Sequence, residues 1–160
     1  MAVETADERL TRYGCDVSDI GRRDAMTAGY SGTPLATKLG LKPGMRAWFD
    51  NMPGSVRDEI GLLDVELIEE AEMVGGLDTA HIFVTERADM ARLLADLRVS
   101  IQPAGQVWVS WPKKASKVPT DVTEDVIREV ALPMGWVDVK VCAVDAIWSG
   151  LKLVIRKELR

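Results

Sequence analysis

The sequence predicts an α/β fold of three layers, with a mainly parallel sheet of five or six strands and a terminal antiparallel hairpin. Three observations carry that expectation. From Met45 onward, short apolar strand-like runs alternate with helical periods, the pattern of parallel strands joined by right-handed crossovers. Met90, Leu93, Leu94, Leu97 and Ile101 fall at i, i+3, i+4, i+7 and i+11, a single apolar helix stripe. The last two strand-like runs, Trp136 to Val144 and Leu151 to Arg156, are separated only by DAIWSG, as in a hairpin.

Residues 1–31 are polar and lack a sustained period, so they read as an N-terminal extension that is partly disordered or wraps the domain formed by residues 32–160. Thr33-Pro34 marks a helix start over Leu35 to Leu39, and Gly40 suits its left-handed end. Lys42-Pro43-Gly44 is a turn into a strand from Met45 to Asp50. Ser55 with Asp58 resembles a capping box for a short helix through Leu62. Val65 to Glu69 reads as a second strand, Gly75-Gly76 as a break, and Thr79 to Thr85 as a buried strand. The helix from Glu86 to Ser100 follows, then a strand from Gln106 to Trp111. Thr120 and Asp121 are expected to open a helix that runs from about Val122 to Leu132, with Pro133 and Gly135 ending it. Leu93, Leu94, Leu97, Val107, Val109, Ile127, Val139 and Val141 are the expected core.

With 47% apolar residues in 160, the chain is long enough for one domain with a substantial core. Its net charge of −5 divides into −7 over residues 1–100 and +2 over residues 101–160. The acidic half argues against general nucleic-acid binding, which needs a broad basic face. Cys15 and Cys142 form no framework and no C-x-x-C pair, which favours a reducing setting. The N-terminus has acids and no apolar secretory core, and no apolar run is long enough to span a bilayer, so the expected location is cytoplasmic.

The order of elements resembles a shortened class I S-adenosylmethionine-dependent methyltransferase domain, which is Rossmann-like. The Met90–Ile101 helix is followed by QPAGQVWVSWP in the place of the "P-G-G" strand of those enzymes, then by a helix and the hairpin. SWPKKASKVPTD and VCAVDAIWSGLK resemble, more closely, the bacterial domain-of-unknown-function family 3052, as does AGYSGTPLATKLGLKPGMR; the match covers about Ala28 to Lys157. That family carries no activity to transfer. Against the methyltransferase pattern, the loop after the first strand is Asp50-Asn51-Met52-Pro53-Gly54-Ser55, with one glycine and a proline that removes an amide donor. Asp50 stands where those enzymes have an acid, Asn51 follows it, and Glu69 or Glu70 stands where an acid binds ribose. The span from Glu70 to Thr79 is too short for the extra strand and helices usual there. S-adenosylmethionine is therefore a disfavoured cofactor, because only glycine lets a backbone approach so closely without a Cβ clash.

In such a sheet the carboxyl ends of the strands gather on one rim. From Val99 to Thr120 there is no acid, so Lys113, Lys114 and Lys117 are not neutralised locally. With the N-terminal amides of the following helix they suit a phosphate, a carboxylate or a nucleotide. Ser110, Trp111, Asp145, Trp148 and Ser149 are expected on the same rim, Trp148 as a stacking surface. Trp108 and Trp111 are three apart on a strand and point to opposite faces. His81 reads as a packed residue with one hydrogen bond, and one His with two distant Cys does not make a metal site. Ser31 in GYSGT lacks the preceding strand of a nucleophile elbow.

Three functions follow. The first is a non-enzymatic binding module that takes an anionic small molecule or a protein partner at its strand ends. The alternative is a small methyltransferase-like or nucleotide-dependent enzyme with an atypical cofactor loop. The third is a structural or regulatory partner that homodimerises through a sheet edge or its tryptophans.

Overall fold

A computed structural model describes residues 34–61 and 65–160. The expectations placed on residues 1–31, Cys15 and Ser31 among them, and on Thr33 and Leu62 lie outside these residues. The elements in chain order are α1 (Leu35–Lys38), β1 (Arg46–Asp50), α2 (Gly54–Ile60), β2 (Ile68–Glu70), β3 (Leu77–Phe83), α3 (Arg87–Ser100), β4 (Ile101–Pro112), α4 (Glu124–Ala131), β5 (Trp136–Ala143) and β6 (Trp148–Ile155). One six-stranded sheet has the order β2-β1-β3-β4-β6-β5. The first four strands are parallel, and β6 runs antiparallel to both β4 and β5. This is the expected α/β architecture with its closing hairpin.

Local chemistry explains the turns that enter the sheet. Leu41 N–H donates to the Ala36 carbonyl and Gly40 N–H to that of Thr37, each at 3.0 Å. That pair of bonds, with Gly40 at φ +69°, is the Schellman ending that satisfies the last carbonyls of a helix. Pro43 then fixes one turn angle and Gly44, at φ +86°, supplies the other, which aims the chain into β1.

Each face of the sheet has its own core. Met90, Leu93, Leu94 and Leu97 of α3 and Ile127, Val130 and Ala131 of α4 pack on one face with Val107, Val109, Trp111 and Leu151. Leu35 and Leu39 of α1 and Val56 and Ile60 of α2 pack on the other with Phe83, Trp108 and Cys142. Trp108 and Trp111 thus fall on opposite faces, as their spacing requires, but both are core.

Several boundaries differ from expectation. The second strand is Ile68–Glu70, three residues rather than five, because it is a sheet edge paired only with β1. Met73 and Val74, between β2 and β3, pack against the core on the α3 face. Thr123, not Thr120, caps α4: its side chain accepts the Val126 amide at 3.2 Å. At α2 no side chain caps the helix, and Pro53 occupies the N-cap position. Trp148 and Ser149 belong to β6 and not to a loop. Val139 is 51% exposed although Val141 is buried. The register of β5 against β6 shifts between Asp138 and Lys140, so Val139 is the extra residue of a bulge and leaves the inward alternation.

A second irregularity lies between Leu77 and Thr79 of β3, whose partners on β4 are Ile101 and Gln106. The intervening residues 102–105 bow out, and Gly105 makes that possible. A Cβ there would stand 2.7 Å from Ile101 Cγ1, 2.9 Å from the Asp78 carbonyl oxygen and 3.1 Å from that of Gln102. Two of those atoms are backbone and cannot step aside. Gly105→Ala is therefore expected to cost about 1–3 kcal/mol of stability by overpacking. Urea denaturation checks this; a loss under about 0.5 kcal/mol, the scatter of neutral surface changes, would contradict it.

Candidate functional site

The chain leaves β1 toward the α2 face and leaves β3 toward the α3 face, so the loops after these two adjacent strands diverge. The crevice at their carboxyl ends is the topological switch point, where open α/β sheets place ligands. Asp50 ends β1 there, opposite Ile82 of β3. Burial pushes the Asp50 carboxyl above its ordinary range; Arg92 of α3 opposes the shift and Asp89 adds to it. Asn51 follows with φ +57°, the left-handed region that asparagine tolerates better than most residues. It supplies one sharp turn for which the sequence offers no glycine. Gly54 opens α2, and nothing lies within 4 Å of where its Cβ would stand.

Glu69 does not reach that crevice as an unpaired acid. Arg57 of α2 grips it through two hydrogen bonds, 3.2 Å to Oε1 and 2.7 Å to Oε2, and Arg46 lies 3.3 Å from Glu70. Both strand-end acids are committed to holding β2, the edge strand, to its neighbours.

Beside the switch point, where the carboxyl ends of β4 and β5 meet the start of β6, lies an open cleft of about 640 Å³. Trp111 and Pro112 of β4, Ala143 of β5 and Ser149 of β6 form its floor, and Lys113, Lys114 and Lys117 its rim. Val118, Pro119, Thr120, Val122, Thr123 and Glu124 complete the wall. Sequence reasoning gathered the lysines, Trp111 and Ser149 but missed Pro112, the wall residues around Val118 and Pro119, and Ala143. The run Thr123-Glu124-Asp125 before an apolar helical period was the available signal for where α4 begins.

Thr120 and Asp121 do other work. The Thr120 hydroxyl donates to the Thr85 carbonyl at 2.7 Å, and Asp121 Oδ1 accepts the Arg87 amide at 2.7 Å, at the start of α3. The cap that Glu86 does not provide comes from 34 residues downstream. Acids occupy the first turn of α4, and Glu124 turns into the cleft wall, so the positive potential comes from the lysines and not from the helix amides.

Three expected rim residues stand elsewhere. Ser110 is fully buried, and its Oγ lies 2.6 Å from His81 Nε2, because its β4 position points to the face opposite Trp111. Trp148 packs edge-on against Phe83, ring centroids 5.1 Å apart, on the α1–α2 face. Asp145 Oδ1 accepts the amides of Ile147 and Trp148, each at 2.8 Å, and so shapes the hairpin turn. His81 is stacked on Phe83 at 4.4 Å, and burial lowers its pKa to about 3. Among the described residues, no group of three or more His, Cys, Asp and Glu is arranged to hold a metal ion, and no helix is long and apolar enough to cross a membrane.

No protein-family model and no curated protein matches the chain, so the resemblance to family 3052 rests on the quoted motifs alone. Solved structures do match. A methyltransferase from Aquifex aeolicus that depends on S-adenosylmethionine superposes with a TM-score of 0.54 at 16% identity, over 76% of this chain and 87% of that one. The 1,6-didemethyltoxoflavin-N1-methyltransferase of Burkholderia thailandensis, solved with its substrate and S-adenosylhomocysteine, gives 0.57 at 12% identity, over 78% and 77%. These likenesses establish a Rossmann-like methyltransferase fold. They also overturn the expectation that S-adenosylmethionine is disfavoured: the fold neighbours are enzymes of that cofactor.

Proposed function

We propose that this domain is a small methyltransferase-like protein that holds S-adenosylmethionine in the crevice between the carboxyl ends of β1 and β3. The observation that carries the reading is the half-buried Asp50 carboxylate lodged at the switch point of a methyltransferase fold. The donor set fits a cationic, hydrogen-bonding cofactor. Asp50 supplies an acceptor for its ammonium or hydroxyl groups, the left-handed Asn51 turns its peptide at the crevice, and the uncrowded Gly54 leaves room. Glu69 acts one step removed, since its clamp on Arg57 fixes α2 and hence the Asp50–Gly54 loop. When bound, the cofactor supplies an electrophilic methyl group. This chain's part is to orient it and to seat an acceptor in the cleft at the end of β4, on the apolar surface of Trp111 and Pro112. This reading replaces the non-enzymatic module as the favoured one.

Calorimetric titration with S-adenosylmethionine and S-adenosylhomocysteine tests it. Saturable one-to-one binding is expected, weakened about tenfold or more in Asp50→Asn, as for loss of a charge-assisted hydrogen bond. The same variant is expected to melt higher at pH 7. The folded-state pKa of Asp50 is raised, so ionising this group costs stability as the pH rises through that value, and asparagine removes the cost. No saturable heat, or unchanged affinity in Asp50→Asn, would defeat the proposal.

A further inference from the structure

We propose that the cleft between the end of β4 and the start of α4 binds a small organic anion, a flat apolar body that carries a phosphate or carboxylate. Calling this ligand the methyl acceptor rests on the cofactor reading above; its binding does not. The cleft's volume of about 640 Å³ lies within the range of small-molecule sites, about 300–1,000 Å³. Its walls divide by chemistry. Trp111, Pro112, Val118, Pro119 and Val122 give an apolar floor and side, and Lys113, Lys114 and Lys117 stand together at the rim.

The charge is one-sided. Among the described residues, Glu124 is the only carboxylate in the lining, and Arg128 holds it at 2.5 Å. No ion pair joins Lys114 or Lys117 to a carboxylate among the described residues. A neutral guest would strip water from these ammonium groups and return nothing, whereas an anion offsets that cost. The apolar walls lower the local dielectric and strengthen the attraction.

The lysine loop is also built in advance. Lys113 N–H donates to the Ile147 carbonyl at 2.7 Å, which ties the loop to the hairpin. The Ser116 hydroxyl donates to the Lys113 carbonyl at 2.6 Å, and Lys117 N–H to that of Lys114 at 3.1 Å. Lys117, at φ +62°, is the left-handed cap that ends the short turn Lys114–Ser116. Pre-ordering of this kind reduces the conformational entropy lost when a ligand binds.

The test uses phenyl phosphate as probe, with phenol and inorganic phosphate as its two halves, followed by calorimetry and tryptophan fluorescence. Phenyl phosphate is expected to bind about tenfold tighter than either half, and several-fold weaker when the ionic strength is raised toward about 1 M, where charges are screened within ~3 Å. The double variant Lys114→Glu, Lys117→Glu is expected to weaken it by a further factor of about ten or more with a nearly unchanged melting temperature, since exposed lysines contribute little to stability. Phenol binding as well as phenyl phosphate, unchanged affinity in the double variant, or melting that collapses while affinity holds would each overturn the proposal. Titration with S-adenosylmethionine is run separately. Phenyl phosphate binding without cofactor binding would leave the anion site standing and remove the methyltransferase reading; the reverse result would do the opposite.

Discussion

Lowering the pH from 7.5 to 5 is expected to remove about 2 kcal/mol of folding stability through His81 alone, and to remove about 4 kcal/mol by pH 3. The imidazole is fully buried, and burial lowers its pKa from 6.5 to about 3. The unfolded chain therefore binds a proton as the pH falls through about 6.5, while the native state does not until about 3. Between those values stability rises with pH, and it is lost as pH falls. Total stabilities of about 5–15 kcal/mol make this a large share. His81 is the only histidine in the chain, so its NMR titration is unambiguous. The folded protein should show no imidazole titration between pH 5 and 8, and His81→Gln should flatten the dependence of urea-unfolding free energy on pH between 5 and 6.5. A folded-state pKa near 6.5 would refute the account.

Trp108→Ala is expected to cost about 3–5 kcal/mol, the range for deleting a buried large aromatic. Trp108 is 1% exposed and sits at the centre of the α1–α2 core. Its Nε1–H donates to the Leu39 carbonyl at 3.0 Å, and Gln106 Nε2 donates to the same oxygen at 2.8 Å. α1 has only four residues and cannot stand alone, so these two donors and the burial of Leu35 and Leu39 hold it to the sheet. Trp108→Phe should cost clearly less, because Gln106 still satisfies Leu39. Adding Gln106→Leu to Trp108→Phe should cost more than the sum of the two single changes, since the carbonyl then loses both partners. Urea denaturation measures the wild type and all four variants. A Trp108→Ala loss under about 1.5 kcal/mol, or strict additivity, would count against this role.

The features legible in the sequence are those set by neighbours close along the chain. The α3 stripe was readable because a helix repeats every 3.6 residues and Met90, Leu93, Leu94 and Leu97 obey that period alone; all four are buried. Gly40 and the Pro43-Gly44 turn were readable because φ preference belongs to the residue itself. The opposed faces of Trp108 and Trp111 follow from the two-residue period of a strand. The three lysines announced themselves by an acid-free stretch of 22 residues, from Val99 to Thr120.

Tertiary structure decided whatever depends on partners far along the chain. Val139 obeys the strand alternation in sequence, yet the bulge against β6 turns it outward, and a bulge is a property of two strands. Asp121 looks like a cap for the helix just after it but caps α3, because the β3 and β4 ends bring it there. Ser110 and Trp148 have the composition of rim residues, and the pleat assigns both to the opposite face. Glu69 was expected as a strand-end acid, and Arg57 across the β2 edge claims it. The lysines became a cleft only when Ala143 and Ser149, contributed by the hairpin, closed its floor. Periodicity and φ preference are written residue by residue, whereas a cavity and the pairing of its charges exist only between segments.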